Sequence, residues 1–129
     1  PSGAERAERV VLKGSLVVNA RKVTDKMAIR AAYSIADFAV KKGISPDYIM
    51  PTMDETEVFA CEAADVADEA IKNNVARKPS DWQQTYDRTL KDIKDARAIL
   101  DLLMKENFVQ RPDEKMLKAA LQKAIDAVS

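Results

Sequence analysis

Apolar residues recur along most of this chain at intervals of three and four positions, the spacing that places side chains on one face of an α-helix. The pattern predicts a helix that begins after Val23, where Thr24 or Asp25 can cap the first turn. Two lysines near its end suit the negative pole of the helix dipole, and Gly43 can adopt the left-handed conformation that ends a helix. The face that we expect to be buried consists of Met27, Ala31, Ile35 and Phe38.

A second helix is predicted after a connector that contains Pro46 and Pro51. Each proline disfavours helix at the residue before it, so residues 47–50 are expected to run extended across the surface of a neighbouring element. Helix resumes near Asp54 and ends before Pro79. Its predicted buried face consists of Phe59, Ala63, Val66 and Ala70.

The last third of the chain carries the longest helical pattern. Ser80 and Gln83 can form a capping box, and a turn at residues 107–112 ends in a proline that suits the first turn of a following helix. The two helices are expected to pack as an antiparallel hairpin, although the first apolar stripe could instead bind a helix of another chain. The stripes are Trp82, Tyr86, Leu90, Ile93, Ala96, Leu100 and Leu103 in the first helix and Met116, Ala120, Leu121, Ala124, Ile125 and Val128 in the second.

The pattern before Val23 is less regular. Apolar residues recur at helical spacing from Glu5, but Gly14 interrupts them, and residues 15–18 contain β-branched side chains. A short strand over 15–18 is therefore an alternative to the helix that we predict. The whole pattern predicts a mainly α fold, with no sheet beyond a short strand pair.

The composition excludes several kinds of site. The 129 residues are enough for one domain and include no histidine, one cysteine and three glycines. Without histidine there is no Ser-His-Asp or Cys-His arrangement, and one cysteine cannot form an internal disulfide or a thiolate zinc cage. Gly3, Gly14 and Gly43 are too dispersed for a phosphate-binding turn. The sequence therefore assigns no catalytic, cofactor-binding or metal-binding residue.

Charge and targeting signals limit the partners and the compartment. Lys plus Arg equals Asp plus Glu at 21 each, so net charge favours neither nucleic acid nor an anionic membrane as a partner. No apolar run approaches the roughly 20 residues of a membrane span, and no signal-peptide pattern opens the chain. A lone Cys61 fits the cytoplasm or another reducing compartment. Since Pro1 is not preceded by Met, we expect a processed N-terminus or a piece of a longer protein.

Two clusters of acidic residues have simple structural explanations, although the first could resemble a carboxylate site for a metal. Carboxylates favour the first turn of a helix whether or not a metal is bound, which explains the first cluster. The second cluster is expected on a solvated helix face, with one aspartate four residues ahead of Lys72. The first cluster is Asp54, Glu55 and Glu57, and the second is Asp65, Asp68 and Glu69.

Three further features suggest chemistry less strongly. Arg21, Lys22 and Lys26 could meet a phosphate or a carboxylate, although basic residues beside a helix are more often simply exposed. Cys61 lies between predicted core positions, so we expect a buried and unreactive thiol. A terminal Pro1 amine could act as a base, but no other residue supports that chemistry.

A series of motifs between residues 14 and 77 resembles the end of the dinucleotide-binding domain of the malic enzymes, the decarboxylating malate dehydrogenases. The most specific motif is PDYIMPT at 46–52, which is similar to the family's PDYIIPS. The other matching segments are 14–21 (GSLVVNAR, similar to GALDVRA), 23–27 (VTDKM, similar to ITDEM), the Ala-rich 28–39, and 66–77, which ends in VAR.

The resemblance implies the C-terminal helices of an α/β dinucleotide-binding domain over residues 1–78, followed by a helical hairpin extension over residues 79–129. A parent enzyme of this family would oxidise malate and decarboxylate it to pyruvate, using NAD or NADP and Mg²⁺ or Mn²⁺. The family's catalytic tyrosine and lysine, its acidic metal ligands and its Gly-rich turn have no counterpart here. Its substrate-contacting segment should precede Gly14, where residues 7–13 do not match. No functional residue therefore carries over.

The chain is thus expected to brace the cofactor domain of a longer oxidoreductase, with the rest of that enzyme or another subunit as its partner and a homo-oligomer as its assembly. The alternative is a stand-alone helical interaction module without catalysis. A strand and a Gly-rich turn encoded upstream of Pro1 would favour the first hypothesis, and a start codon would favour the second.

Overall fold

The computed structural model describes residues 11–109 and 113–128, and these residues form a mainly α structure, as the sequence predicts. Within them there are five helices and no strand, so the alternative of a strand at 15–18 is excluded. Predictions that involve Pro1, Glu5 and Pro112 lie outside the described residues. The helices are α1, whose described part is 11–17, α2 (Asp25–Lys42), α3 (Thr56–Lys72), α4 (Trp82–Lys105) and α5 (Glu114–Val128).

The chain divides into two compact units, Pro1–Lys94 and Asp95–Ser129. The first unit contains α1, α2, α3 and the beginning of α4, and the second contains the rest of α4 and α5. The predicted division at residue 78 concerns the extent of the family segment and stays a prediction. None of the helices in the described residues has the length and apolarity that a membrane crossing requires.

Local sequence signals define the ends of α2. The Thr24 hydroxyl accepts a hydrogen bond from the backbone N–H of Met27 at 3.3 Å, which confirms the predicted N-cap. Gly43 has φ = 104°, and its N–H donates to the carbonyls of Ala39 and Val40. The predicted face of α2 is confirmed in the first half of the helix, where Met27 and Ala31 are fully buried, whereas Ile35 and Phe38 are only half-buried.

Helix α3 is the central element of the first unit, since small side chains let neighbouring helices approach it from several directions. A Cβ built on Gly14 would lie 2.7 Å from the Ala63 carbonyl oxygen and 2.8 Å from the Val66 Cβ. Helices α1 and α3 therefore meet at a distance that only glycine allows without movement. The buried apolar cluster comprises Val11, Val18, Met27, Ala31, Val66, Ala67, Ala70 and Val75.

Backbone hydrogen bonds join the segment after α1 to the segment after α3. The N–H of Arg21 donates to the Val75 carbonyl at 2.9 Å, and the N–H groups of Arg77 and Lys78 both donate to the Val18 carbonyl at 3.0 Å. Because Val18 and Val75 are themselves buried, these bonds satisfy polar groups that water does not reach. Two of the motifs recognised in the sequence are therefore neighbours in space.

The connector between α2 and α3 differs from the prediction. Residues 47–50 do not run extended, because Ser45 and Tyr48 exchange backbone hydrogen bonds of 3.1 and 3.0 Å across a tight turn. Pro46 occupies the second position of this turn, where its fixed φ is favourable. The proline thus initiates a turn instead of extending the chain.

Helix α3 begins at Thr56, slightly later than the predicted start near Asp54. The Glu55 side chain makes no capping bond to α3. Its carboxylate instead accepts the N–H of Thr52 at 2.9 Å, which closes a local loop ahead of the helix.

The start of α4 is capped by a different residue from the one predicted. The Asp81 carboxylate accepts the backbone N–H groups of Gln83 at 2.9 Å and Gln84 at 3.2 Å. Ser80 bonds instead to the side chain of Gln84 at 3.1 Å. The predicted Ser80–Gln83 capping box does not form, because the carboxylate of Asp81, the residue directly before α4, binds the free N–H groups.

The buried face of α4 in the first unit is shifted by about one residue from the predicted stripe. Thr85 and Thr89 are buried, whereas Tyr86 is only half-buried and Trp82 is 36% exposed. Thr85 is satisfied by the Asp81 carbonyl at 3.0 Å. Periodicity locates an apolar face but does not reveal that small threonines allow the closest approach.

The second unit contains helical segments as predicted, but the predicted seam is not buried. Leu100 is 46% exposed and Leu121 is 62% exposed, and α4 and α5 form no extensive contact among the described residues. Asp113 caps α5 by accepting the N–H of Lys115 at 2.8 Å. An amphipathic pattern predicts a face that requires a partner but does not identify the partner.

Candidate functional site

Several kinds of polar and aromatic side chain meet in an open groove of about 390 Å³ between α2, α3 and the beginning of α4, here called the α2–α3 groove. Helix α2 contributes cationic side chains, α3 contributes a carboxylate and a thiol, and α4 contributes an indole. Its lining includes Arg30, Asp65 and Trp82, one from each helix.

Asp65 connects the three helices that form the α2–α3 groove. One carboxylate oxygen accepts a hydrogen bond from the Arg30 guanidinium at 2.8 Å, and the other accepts the Trp82 indole N–H at 2.9 Å. The Asp65 side chain is only 16% exposed. The prediction that Asp65 lies on a solvated face is therefore wrong, whereas Asp68 forms the expected surface ion pair with Lys72 at 2.6 Å.

An aromatic pair and a thiol also lie at the α2–α3 groove. Trp82 stacks on Tyr86 with ring centroids 5.3 Å apart and planes inclined by 9°. Cys61 is half-buried, and its burial, reinforced by the charge of Asp65, raises the pKa of the thiol. Because the thiolate is the nucleophilic form, this raised pKa supports the interpretation of Cys61 as unreactive, although it is less buried than predicted.

A second polar cluster fastens the connector to α2. The Glu55 carboxylate accepts hydrogen bonds from the Lys42 ammonium, the Tyr48 hydroxyl at 2.9 Å and the Thr52 N–H at 2.9 Å. The bond from Lys42, followed by that from Thr52, lowers the pKa of Glu55 to about 2. Lys42 also lies 5.1 Å from the centroid of the Tyr48 ring.

The acidic residues that were candidate metal ligands do not converge. Glu55 is bonded to the connector, while Glu57 is exposed in the first turn of α3. No group of three or more His, Cys, Asp or Glu side chains is placed to hold a metal ion within residues 11–109 and 113–128.

Glu62 is a buried carboxyl group that the sequence analysis missed. It is 1% exposed, and no group in the described part of the chain donates a hydrogen bond to its Oε1 atom. Burial, with a smaller contribution from the charge of Asp65, raises the pKa of Glu62 to about 8. The sequence does contain a signal for the burial of Glu62. This residue lies three positions after Phe59 and four before Val66, on the predicted apolar face.

The basic residues predicted as a candidate anion site lie outside the α2–α3 groove and outside a second groove of the first unit. Arg21, Lys22 and Lys26 are exposed and line neither groove. The second groove, also about 390 Å³, lies beside α1 and includes Lys13 and Arg88. The Lys13 ammonium forms an ion pair with Asp92 at 2.6 Å, so this cation is already neutralised by the protein.

The contacts of these clusters join helices to one another. Asp65 joins α2, α3 and α4, Glu55 joins α2 to the connector, and the pair of Lys13 and Asp92 joins α1 to α4. Carboxylates that already accept charged donors are poorly placed to act as general bases. In the first unit, these polar contacts hold the helices and the connector in position.

Two solved structures are similar to this chain. The Entamoeba histolytica malic enzyme, known from a crystal structure, is 48% identical, with a TM-score of 0.84, over 92% of this chain and 25% of that chain. The malic enzyme from Pyrococcus horikoshii Ot3 is 32% identical, with a TM-score of 0.69, over 75% of this chain and 22% of that chain. No family model and no curated protein matches. The chain therefore spans about a quarter of the length of these relatives, and the resemblance recognised in the sequence is confirmed.

Proposed function

We propose that this chain, which is by sequence and fold a malic-enzyme segment, braces the cofactor domain of a longer malic-enzyme-like oxidoreductase. The observation that carries the proposal is the 48% identity with the Entamoeba enzyme over 92% of the chain. Oxidation and decarboxylation of malate, with NAD or NADP and Mg²⁺ or Mn²⁺, is assigned to the rest of the parent protein. This segment supplies helices that support it.

The described residues do not themselves fit a dinucleotide or a divalent cation. The half-buried carboxylates of Asp65 and Glu55 are bound to protein donors. Gly14 faces the Ala63 carbonyl at a distance that leaves no room for a ligand. We therefore assign these side chains to positioning helices.

The outward face of α2 supports a bracing role. Ile29 is 55% exposed, and Tyr33 and Val40 are each 61% exposed. Together with exposed Ala36, they follow spacings of four, three and four residues and so form one apolar stripe, opposite the buried face that contains Met27. We propose that this α2 stripe packs against the preceding domain of the parent enzyme, because a solvated helix face is normally polar.

A chimaeric enzyme tests the proposal. The matched quarter of the Entamoeba enzyme is replaced by this chain, and the absorbance of reduced cofactor is followed with malate, NAD or NADP and Mn²⁺. We expect turnover by the chimaera and none by this chain alone. Turnover by the purified chain alone, abolished by EDTA, would show that its residues contain a catalytic site and would contradict the proposal.

The α2 stripe is tested in the same chimaera. Tyr33→Asp places a charge in the proposed contact. It is expected to reduce both the yield of soluble chimaera and the turnover of the chimaera. Ala28→Asp is the matched control, because it adds the same charge to an exposed position of α2 outside the stripe. Equal activity of the two variants would show that the stripe does not contact the rest of the enzyme.

A further inference from the structure

Glu62 occupies a cleft between α3, α2 and the connector of the first unit. The carboxyl group is 1% exposed, and the cleft has a volume of only about 10 Å³. A space of this size holds about one water molecule, which is too little to hydrate a carboxylate. The other residues that line the cleft are Ile35, Met50, Pro51, Thr52, Val58 and Phe59.

Among the described residues that line the cleft, none carries a positive charge. Helix α2 presents Ile35, and the connector presents Thr52, whose N–H and hydroxyl are both bound to Glu55. Within the described residues, the charged group that acts on Glu62 is Asp65 in its own helix, and its negative charge opposes ionisation.

The neutral form of Glu62 is therefore compatible with this cleft and the ionised form is not. A carboxylate without a partner is strongly disfavoured in an apolar environment, whereas a protonated carboxyl group is tolerated there. Residues 50–52 of the connector line the cleft, and within them Met50 is 46% exposed and Thr52 is exposed, whereas Pro51 is buried. Displacement of this part of the connector would therefore open the cleft to water.

We propose that Glu62 is a pH-sensitive latch, held as a neutral acid beneath residues 50–52, whose ionisation loosens the connector from α2 and α3. The latch belongs to the first unit and is independent of the proposed bracing role. At neutral pH it keeps the connector in place, and it releases the connector as the pH becomes alkaline.

Hydrogen exchange of the full chain tests the latch. The protection of the backbone amides of Thr52 and Val58, on either side of the cleft, is measured by NMR from about pH 6 to about pH 9. In the wild type, protection relative to Glu62→Gln is expected to fall about tenfold for each pH unit from about pH 6 to about pH 8, because the open state is ionised in this range while the closed state is not, and to level off above the point at which Glu62 ionises in the closed state. Glu57→Gln is the matched control, because it removes an exposed carboxylate of the same helix, and it should behave as the wild type.

Two results would overturn the latch. One is a constant ratio of protection between the wild type and Glu62→Gln across the pH range. The other is a ¹³C carboxyl titration of Glu62 in the wild type with its midpoint at the ordinary value for glutamate. The second measurement needs no variant, so it decides the question even if Glu62→Gln fails to fold.

Discussion

Replacing Gly14 by alanine should destabilise the first unit, although alanine is the better helix former. Gly14 lies within α1, where its backbone meets α3. A Cβ at this position would lie 2.7 Å from the Ala63 carbonyl oxygen and 2.8 Å from two carbons of Val66. Real Cβ atoms do not approach that closely, and a backbone carbonyl cannot rotate away, so α1 must move off α3.

The magnitude follows from two opposing effects. Replacing glycine by alanine inside a helix contributes about 1 kcal/mol in favour of folding. Overpacking a close contact costs about 1–3 kcal/mol, and the upper half of that range applies because the obstacle is backbone. We therefore expect the free energy of unfolding to fall by about 1–2 kcal/mol, the difference between these effects.

Urea denaturation followed by far-ultraviolet circular dichroism measures this change. Leu12→Ala is a suitable control, because Leu12 is 58% exposed in the same helix and its truncation should change the stability by less than about 0.5 kcal/mol. A Gly14→Ala variant that is more stable than the wild type by the full helix-propensity gain would refute the close packing of α1 on α3.

Two further predictions concern the polar clusters. Asp65→Ala removes the carboxylate that accepts hydrogen bonds from Arg30 and from the Trp82 indole, and it should lower the free energy of unfolding by about 2 kcal/mol in urea denaturation. Asp68→Ala should lower it by less than about 1 kcal/mol, because the ion pair of Asp68 is exposed. Equal effects of the two variants would mean that the Asp65 contacts are not formed in solution. Because the folded-state pKa of Glu55 is lowered from 4.5 to about 2, its stabilising effect should be complete above pH 4.5 and lost as the pH falls towards 2. Thermal melts at several pH values should show this loss in the wild type and not in Glu55→Gln, and identical acid profiles would contradict it.

The opposite pH dependence is expected from Glu62, and it separates the two carboxyl groups experimentally. Its folded-state pKa is raised from 4.5 to about 8. The contribution of neutral Glu62 to the free energy of unfolding is therefore complete below pH 4.5 and is lost as the pH rises towards 8. Acid and alkaline melts therefore report on different parts of the first unit: the Glu55 cluster at one end of the connector and the Glu62 cleft beneath it.

The helices and several of their ends could be predicted from the sequence, because they depend on residues that are close along the chain. Thr24 caps a helix three residues away, and Gly43 ends the same helix by its own φ angle. Helical spacing identified the Met27 and Ala31 face, and the order of short motifs identified the family. The prediction failed where two local signals compete. In the connector Pro46 starts a turn, and at the beginning of α4 Asp81 replaces Ser80 as the cap.

The tertiary structure decided which polar residues are buried and what they contact. Arg30 and Trp82 lie 35 and 17 residues from Asp65, so no local pattern indicates that one carboxylate joins them. Glu62 occupies an apolar face in the sequence, but only the packing of the connector shows that its Oε1 atom is enclosed without a hydrogen-bond partner among the described residues. The physical reason is that helical periodicity is set by the backbone within a few residues, whereas burial and pKa depend on atoms brought together by packing.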